Sequence, residues 1–392
     1  MGASGPWLWG APTDLAVFGG SALLALLGVL ALRGMGIAPG ALPAWGWVVL
    51  VLGVDVAHVY STLFRTYLDG EELRRHRLRY SLAPLFAYLI GVALYAVGSV
   101  WFWRVLAYVA VFHFIRQQVG WVALYRARDA AQRRALVTAG SEARAASAET
   151  AQLPAAAPAL ERQARLDRGL DDLAVYAATL YPIVHWHAYL ADRHFAWFIQ
   201  GDFVDVSRYA LAVLPVAKWL WVTALSCFGA RQLWLWRSEG RLQAGKTLVV
   251  ATTALTWYIG IVATNSDAEF TLMNVIVHGV PYMALLYAYG RERRRLAPAQ
   301  LGSQLLAGGV LAFIGCLLLI AFVEELVWDR LVWKDNAWLF GVSDVELGSL
   351  GLCLLVPLLA MPQLTHYLLD GVLWRRRDSR ENAAQRAAIG MR

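Results

Sequence analysis

The chain has 392 residues, of which 59% are hydrophobic and 16% charged, with a net charge of +7 and a mean hydropathy of +0.48. A soluble domain carries roughly 25% charged residues, so this composition excludes a chain dispersed in water and places most of its length in lipid. The positive charge lies in short arginine clusters between apolar runs, the placement of topology determinants and not of a nucleic-acid face.

A bilayer core of ~30 Å needs about 20 apolar residues per helix. Met1 to Asp14 has no basic leader and no small-residue cleavage site, so the first apolar run reads as a retained helix. Ten runs meet or approach the required length: 15–32, 45–64, 81–98, 101–125, 173–190, 209–236, 247–265, 270–289, 305–323 and 350–374. The expected fold is an all-α, polytopic membrane bundle in one domain. Residues 126–171 form a long Ala- and Arg-rich cytoplasmic connection between the fourth and fifth helices.

Basic clusters follow every even-numbered run: Arg74, Arg75, Arg77 and Arg79; Arg126, Arg128, Arg133 and Arg134; Arg231, Arg237, Arg241 and Lys246; Arg291 and Arg293 to Arg295; Arg375 to Arg377. The odd-numbered exits are poor in arginine or acidic. The positive-inside rule then predicts both termini in the cytoplasm, with a bacterial inner membrane as the expected location. Tryptophans such as Trp45, Trp101, Trp236 and Trp374 fall near helix ends, where interface anchoring explains them. Cys227, Cys316 and Cys353 all lie inside apolar runs, so neither a disulfide framework nor a cysteine zinc site is expected.

Polar residues at bilayer depth are costly and point to function. They group on four helices: Asp55 and His58 on the second; His113, Arg116 and Gln117 on the fourth; Asn274 and His278 on the eighth; His366 and Asp370 on the tenth. Spacings of three and four place each set on one helix face. In the ten-helix topology these helices run in the same direction and carry their histidines at similar depth. Four imidazoles suit iron or another transition metal, so His58, His113, His278 and His366 are the predicted ligands. Asp55, Asn274 and Asp370 are expected to fix the outer nitrogens of their same-helix or neighbouring histidines. Arg116 is expected to pair with Asp55 or Asp370, or to meet an anionic substrate group; Asp55, Arg116 and Asp370 are the candidate catalytic residues. Gln117, Asn274, His185 and His187 are the candidates for a supporting shell or a secondary site. A spacing of two puts His185 and His187 on different helix faces, but Pro182 disturbs the local ladder, so an irregular segment could aim both inward; they also read simply as interfacial histidines.

Histidines on several helices, with the HxxxD run from His366 to Asp370, resemble the Brp/Blh family of membrane β-carotene 15,15'-dioxygenases. That resemblance of arrangement implies a helical fold, an iron held by four histidines in the membrane, and oxidative cleavage of a carotenoid. The HxxxH and HxxHH boxes of membrane desaturases and hydroxylases are absent from the chain. The leading expectation is therefore a metal-dependent membrane oxidoreductase acting on a lipophilic substrate, with membrane lipids as its surroundings. The alternatives are a b-type haem protein with two of these histidines as axial ligands, a transporter relaying ions through Asp55, Arg116 and Asp370, and a structural subunit.

Overall fold

The computed structural model describes residues 6–37, 43–146, 156–195, 198–240, 242–374 and 383–389, with the side chains of 132–161 and 383 left aside. Arg241 and Arg375 to Arg377, and the side chains of Arg133 and Arg134, lie outside the described residues. Among the described residues the secondary structure is helical, with a lone bridge pairing His194 and Ser266.

Eight helices are long and apolar enough to cross a membrane: α1 (Ala11–Gly34), α2 (Ala44–Arg65), α3 (Arg77–Val97), α6 (Ser207–Glu239), α7 (Ala244–Ala263), α8 (Asp267–Leu296), α9 (Gly309–Trp333) and α10 (Ser349–Leu373). The other two expected spans are also helical, inside the longer α4 (Ser99–Ala146) and α5 (Ala156–Ala188). Arg104, His113, Arg116, Gln117 and Gln118 lower the hydropathy of α4, and the connection between α4 and α5 is helical where it continues α4 and leads into α5.

α8 is the central helix, buried along most of its length from Asp267 to Arg293. It touches α1, α2, α4 and α7, while α3 lies along α10 and α6 lies along α5. Two glycines set close crossings. A Cβ on Gly279 would stand 2.7 Å from Val54 Cγ1 and 3.3 Å from His58 Cβ, so only a bare backbone lets α8 approach α2 this closely. A Cβ on Gly91 would stand 2.9 Å from Pro357 Cβ, which seats α3 on α10.

α2 is π-helical over Val48–Val56 and returns to α geometry over Ala57–Ser61, with Asp55 in the π stretch and the buried His58 just beyond it. At one end of the bundle, buried charges are matched. Asp69 caps the short helix Gly70–Arg75 and receives Arg293, while Arg65 pairs with Glu72 at 3.0 Å and donates to Gln385. At that end Trp9 Nε1 donates to the carbonyl of Ala388, so segments near the two ends of the sequence lie together.

Candidate metal centre

The four histidine-bearing helices form a closed ring: α2 touches α8 and α10, and α4 touches α8 and α10. His58, His113, His278 and His366 all face the middle of this ring, each at most 4% exposed. One nitrogen from each of the four lies within 4.8 Å of all the others. His113 Nε2 is 3.2 Å from His278 Nε2 and 3.1 Å from His366 Nε2. The His58 ring stands edge-on to those of His278 and His366, with centroids 4.8 and 5.1 Å away.

The outer nitrogens show which way the lone pairs point. His58 Nδ1 lies 3.2 Å from the Val54 carbonyl oxygen. A carbonyl only accepts, so Nδ1 carries the proton and Nε2 keeps its lone pair. That Nε2 is buried and has no partner among the described residues. His366 Nδ1 lies 2.8 Å from Thr62 Oγ1, which is itself 3.2 Å from the Tyr282 hydroxyl. His113 Nδ1 faces Asp370 Oδ2 at 3.8 Å. The Val54 and Thr62 contacts are of the kind that orients metal-binding imidazoles, while Asp370 stands beyond hydrogen-bond reach of His113.

The inner nitrogens fit a cation. Around a tetrahedral ion with nitrogens at ~2.0–2.1 Å, neighbouring nitrogens sit roughly 3.3–3.4 Å apart. The observed 3.1 and 3.2 Å are within a few tenths of an ångström of that spacing. A single proton satisfies only one of the two short contacts that His113 Nε2 makes. A cation satisfies every lone pair at once, and it resolves the unpartnered Nε2 of His58.

Of the expected helper residues, Asp370 approaches a histidine of a neighbouring helix and Asp55 one of its own, while Asn274 serves neither. Asp370 lies against His113 on α4 and not against His366 on its own helix. The partner of His366 is Thr62. Asp55 stands 3.9 Å from His58 Nδ1, behind the closer Val54 carbonyl. Asn274 Nδ2 donates to the Phe270 carbonyl at 2.9 Å, and His278 Nδ1 has no partner among the described residues. Arg116 is exposed and donates to the Tyr176 hydroxyl at 2.9 Å; no ion pair joins it to Asp55 or Asp370 among the described residues. Its long stem reaches a polar partner at the bundle surface, where the sequence suggested an interior carboxylate.

His185 and His187 stand apart from the four-histidine cluster. His185 Nδ1 meets Arg193, whose guanidinium also donates to the carbonyls of Ile261 and Thr264. Burial draws the Arg193 guanidinium down to about 10. His187 Nδ1 donates to the Ile183 carbonyl, and its Nε2 lies 2.8 Å from the Tyr108 hydroxyl. Both histidines therefore have partners of their own, outside the four-histidine cluster.

Thr62, Tyr282 and Tyr367 were not singled out from sequence. Thr62 and Tyr282 follow His58 and His278 by four residues, the spacing that marks one helix face. Tyr367 lies beside His113, with ring centroids 4.5 Å apart, and accepts from Gln363.

A cavity of about 910 Å³ opens beside the histidines, lined by α3, α4, α8 and α10. His113, Gln117, Tyr367 and Asp370 are on its wall, and most of the remaining lining is apolar, including Phe86, Phe102 and Phe112. Its volume falls in the ~300–1,000 Å³ range of ligand pockets. Phe86 and Phe112 are more than half exposed on the outside of the bundle, so the cleft reaches the face that would meet lipid. Comparison with protein-family models, curated proteins and solved structures gives no match for this chain.

Proposed function

We propose that this chain is a metal-dependent membrane oxidoreductase that holds one transition-metal ion, iron first among candidates, on His58, His113, His278 and His366. Its substrate is a lipophile of the carotenoid, isoprenoid or lipid class, drawn sideways from the bilayer. The observation that carries this reading is the meeting of four buried imidazoles on the wall of an apolar cleft. The resemblance in histidine arrangement to the Brp/Blh dioxygenases supports iron and oxidative cleavage as the leading chemistry.

When bound, such an ion supplies Lewis acidity and, for iron, a redox couple. The chain's own residues do the rest. Val54 and Thr62 hold the rings of His58 and His366 in one orientation. The aromatic walls exclude water and accept an apolar chain. Asp370 lies on the cleft wall, 3.8 Å from His113 Nδ1, where its carboxyl places a negative charge beside that ring.

The topology proposed with this reading has ten spans, both termini cytoplasmic, in a bacterial inner membrane. The alternation of basic clusters supports it, as does the contact between Trp9 and Ala388, which lays the two end segments on one side. Against the haem alternative stands the convergence of one nitrogen from each of four imidazoles within 4.8 Å, which leaves no equatorial plane for a porphyrin. Against a transporter relay stands Arg116, which is bonded to Tyr176.

Elemental analysis and an absorption spectrum of the full chain, purified without chelator, test the proposal. One transition-metal ion per chain and no Soret band are expected. Absence of stoichiometric metal rejects the metal centre, and a Soret band selects haem.

A further inference from the structure

His113, Gln117 and Trp121 are spaced four apart on α4 and all line the cleft. That spacing makes them one stripe, with about 6 Å of helix rise between successive members. Gln117 is only 6% exposed, and neither Nε2 nor Oε1 of its carboxamide has a hydrogen-bond partner among the described residues. The indole N–H of Trp121, 2% exposed, is likewise without one among the described residues. The other polar members of the lining are Arg116, which is engaged with the Tyr176 hydroxyl, and Tyr282, Tyr367, Asp370 and Trp374; the rest is aliphatic and aromatic.

A buried amide whose donor and acceptor both go unmet is expensive, because the group has left water without compensation. Such a group on the wall of a ligand-sized apolar cleft is satisfied when something polar enters with the ligand. A hydrocarbon brings nothing. A hydroxyl brings both halves: its hydrogen is donated to Oε1, and its oxygen accepts from Nε2 or from the Trp121 indole.

We infer that the cleft selects a hydroxylated lipophile, a long-chain or isoprenoid alcohol, whose hydroxyl docks on Gln117 while its apolar body lies along Phe86, Phe102 and Phe112. This rests on the reading of the cleft as the substrate site and narrows the substrate class. Gln117 follows His113 by one turn, so the bound head fixes which part of the chain lies beside the histidines. Gln117 thus acts as a specificity-determining residue. It takes no part in holding the ion.

The test is binding of radiolabelled geranylgeraniol to the full chain in lipid nanodiscs, competed by phytol or by its saturated hydrocarbon, phytane. Phytol should compete, and phytane should compete at least about tenfold more weakly, the scale of a lost buried hydrogen bond. Gln117→Met, close in size and shape, should weaken geranylgeraniol binding about 10- to 100-fold, leave metal content unchanged, and give a melting temperature at or above that of the wild type. Equal competition by phytane and phytol in the wild-type chain overturns the proposal, whether or not the variant folds. A well-folded Gln117→Met chain that binds the alcohol as tightly as wild type also overturns it. Metal content separates the two readings. Full metal with no preference for the alcohol rejects only the hydroxyl site, whereas alcohol preference without any metal rejects only the metal centre.

Discussion

Replacing Thr62 with valine removes one hydroxyl and keeps the shape of the side chain. Thr62 Oγ1 is 2.8 Å from His366 Nδ1 and 3.2 Å from the Tyr282 hydroxyl. All three residues are buried, with Thr62 the most exposed at 4%, so no water replaces what is lost. The variant leaves His366 Nδ1 without its partner and frees the ring to turn. Removing such an outer contact lowers metal affinity about 10- to 100-fold, equivalent to roughly 1.4–2.7 kcal/mol. The unmet buried nitrogen costs about 1–3 kcal/mol of stability as well. Chelator competition on the purified full chain reads the first effect, and the apparent melting temperature of the metal-free protein reads the second. Thr62→Ser, which keeps the hydroxyl, should stay within about threefold of wild type, well inside the tenfold scale of an outer-contact loss. Metal affinity in Thr62→Val equal to wild type would refute the reasoning that the hydroxyl holds His366 for an ion.

Alanine at His58, His113, His278 or His366 should each abolish stoichiometric metal, while alanine at His187 or His194 should leave it intact; equal retention in all six overturns the ligand set. Gly279→Ala places a methyl 2.7 Å from Val54 Cγ1, which should force α8 from α2 at a cost of about 1–3 kcal/mol. Weaker metal binding should accompany it, since His58 sits at that crossing; a normal melting temperature and normal metal affinity would contradict the close approach. Arg293→Met leaves the carboxylate of Asp69, which is 1% exposed, without its arginine. Removal of one partner from a buried pair costs about 3–5 kcal/mol, so the apparent melting temperature should fall by several degrees with metal stoichiometry at its wild-type level in the surviving folded protein. An unchanged melting temperature would show that the pair contributes nothing.

Helices and metal candidates were legible in the sequence for simple reasons. Apolar runs of membrane length have few alternatives to a helix, and imidazoles inside them are too costly to be scattered without purpose. The helper contacts were harder to read. Spacings of three and four promise neighbours on the same helix, as with His366 and Asp370. In a ring of four helices, though, a side chain aimed inward meets the opposite wall sooner than its own. Asp370 therefore meets His113, and Thr62 of α2 meets His366 of α10. The Val54 carbonyl carries no signature at all, since every residue has one, and the π-helical stretch of α2 has no periodicity to announce it. Thr62 and Tyr282 did carry a signal: each lies one turn beyond a candidate ligand histidine. Arg116 misled because its charge suggested an interior partner, while its stem is long enough to reach Tyr176 at the surface.

The most direct test of the metal centre is anomalous diffraction from crystals of the full chain, collected on either side of the iron absorption edge. One peak should stand among His58, His113, His278 and His366, at about 2.0–2.3 Å from the four inner nitrogens, near the nitrogen–metal distances known for zinc. No peak there at this or any other first-row transition-metal edge, in protein shown to contain metal, would contradict the four-histidine centre.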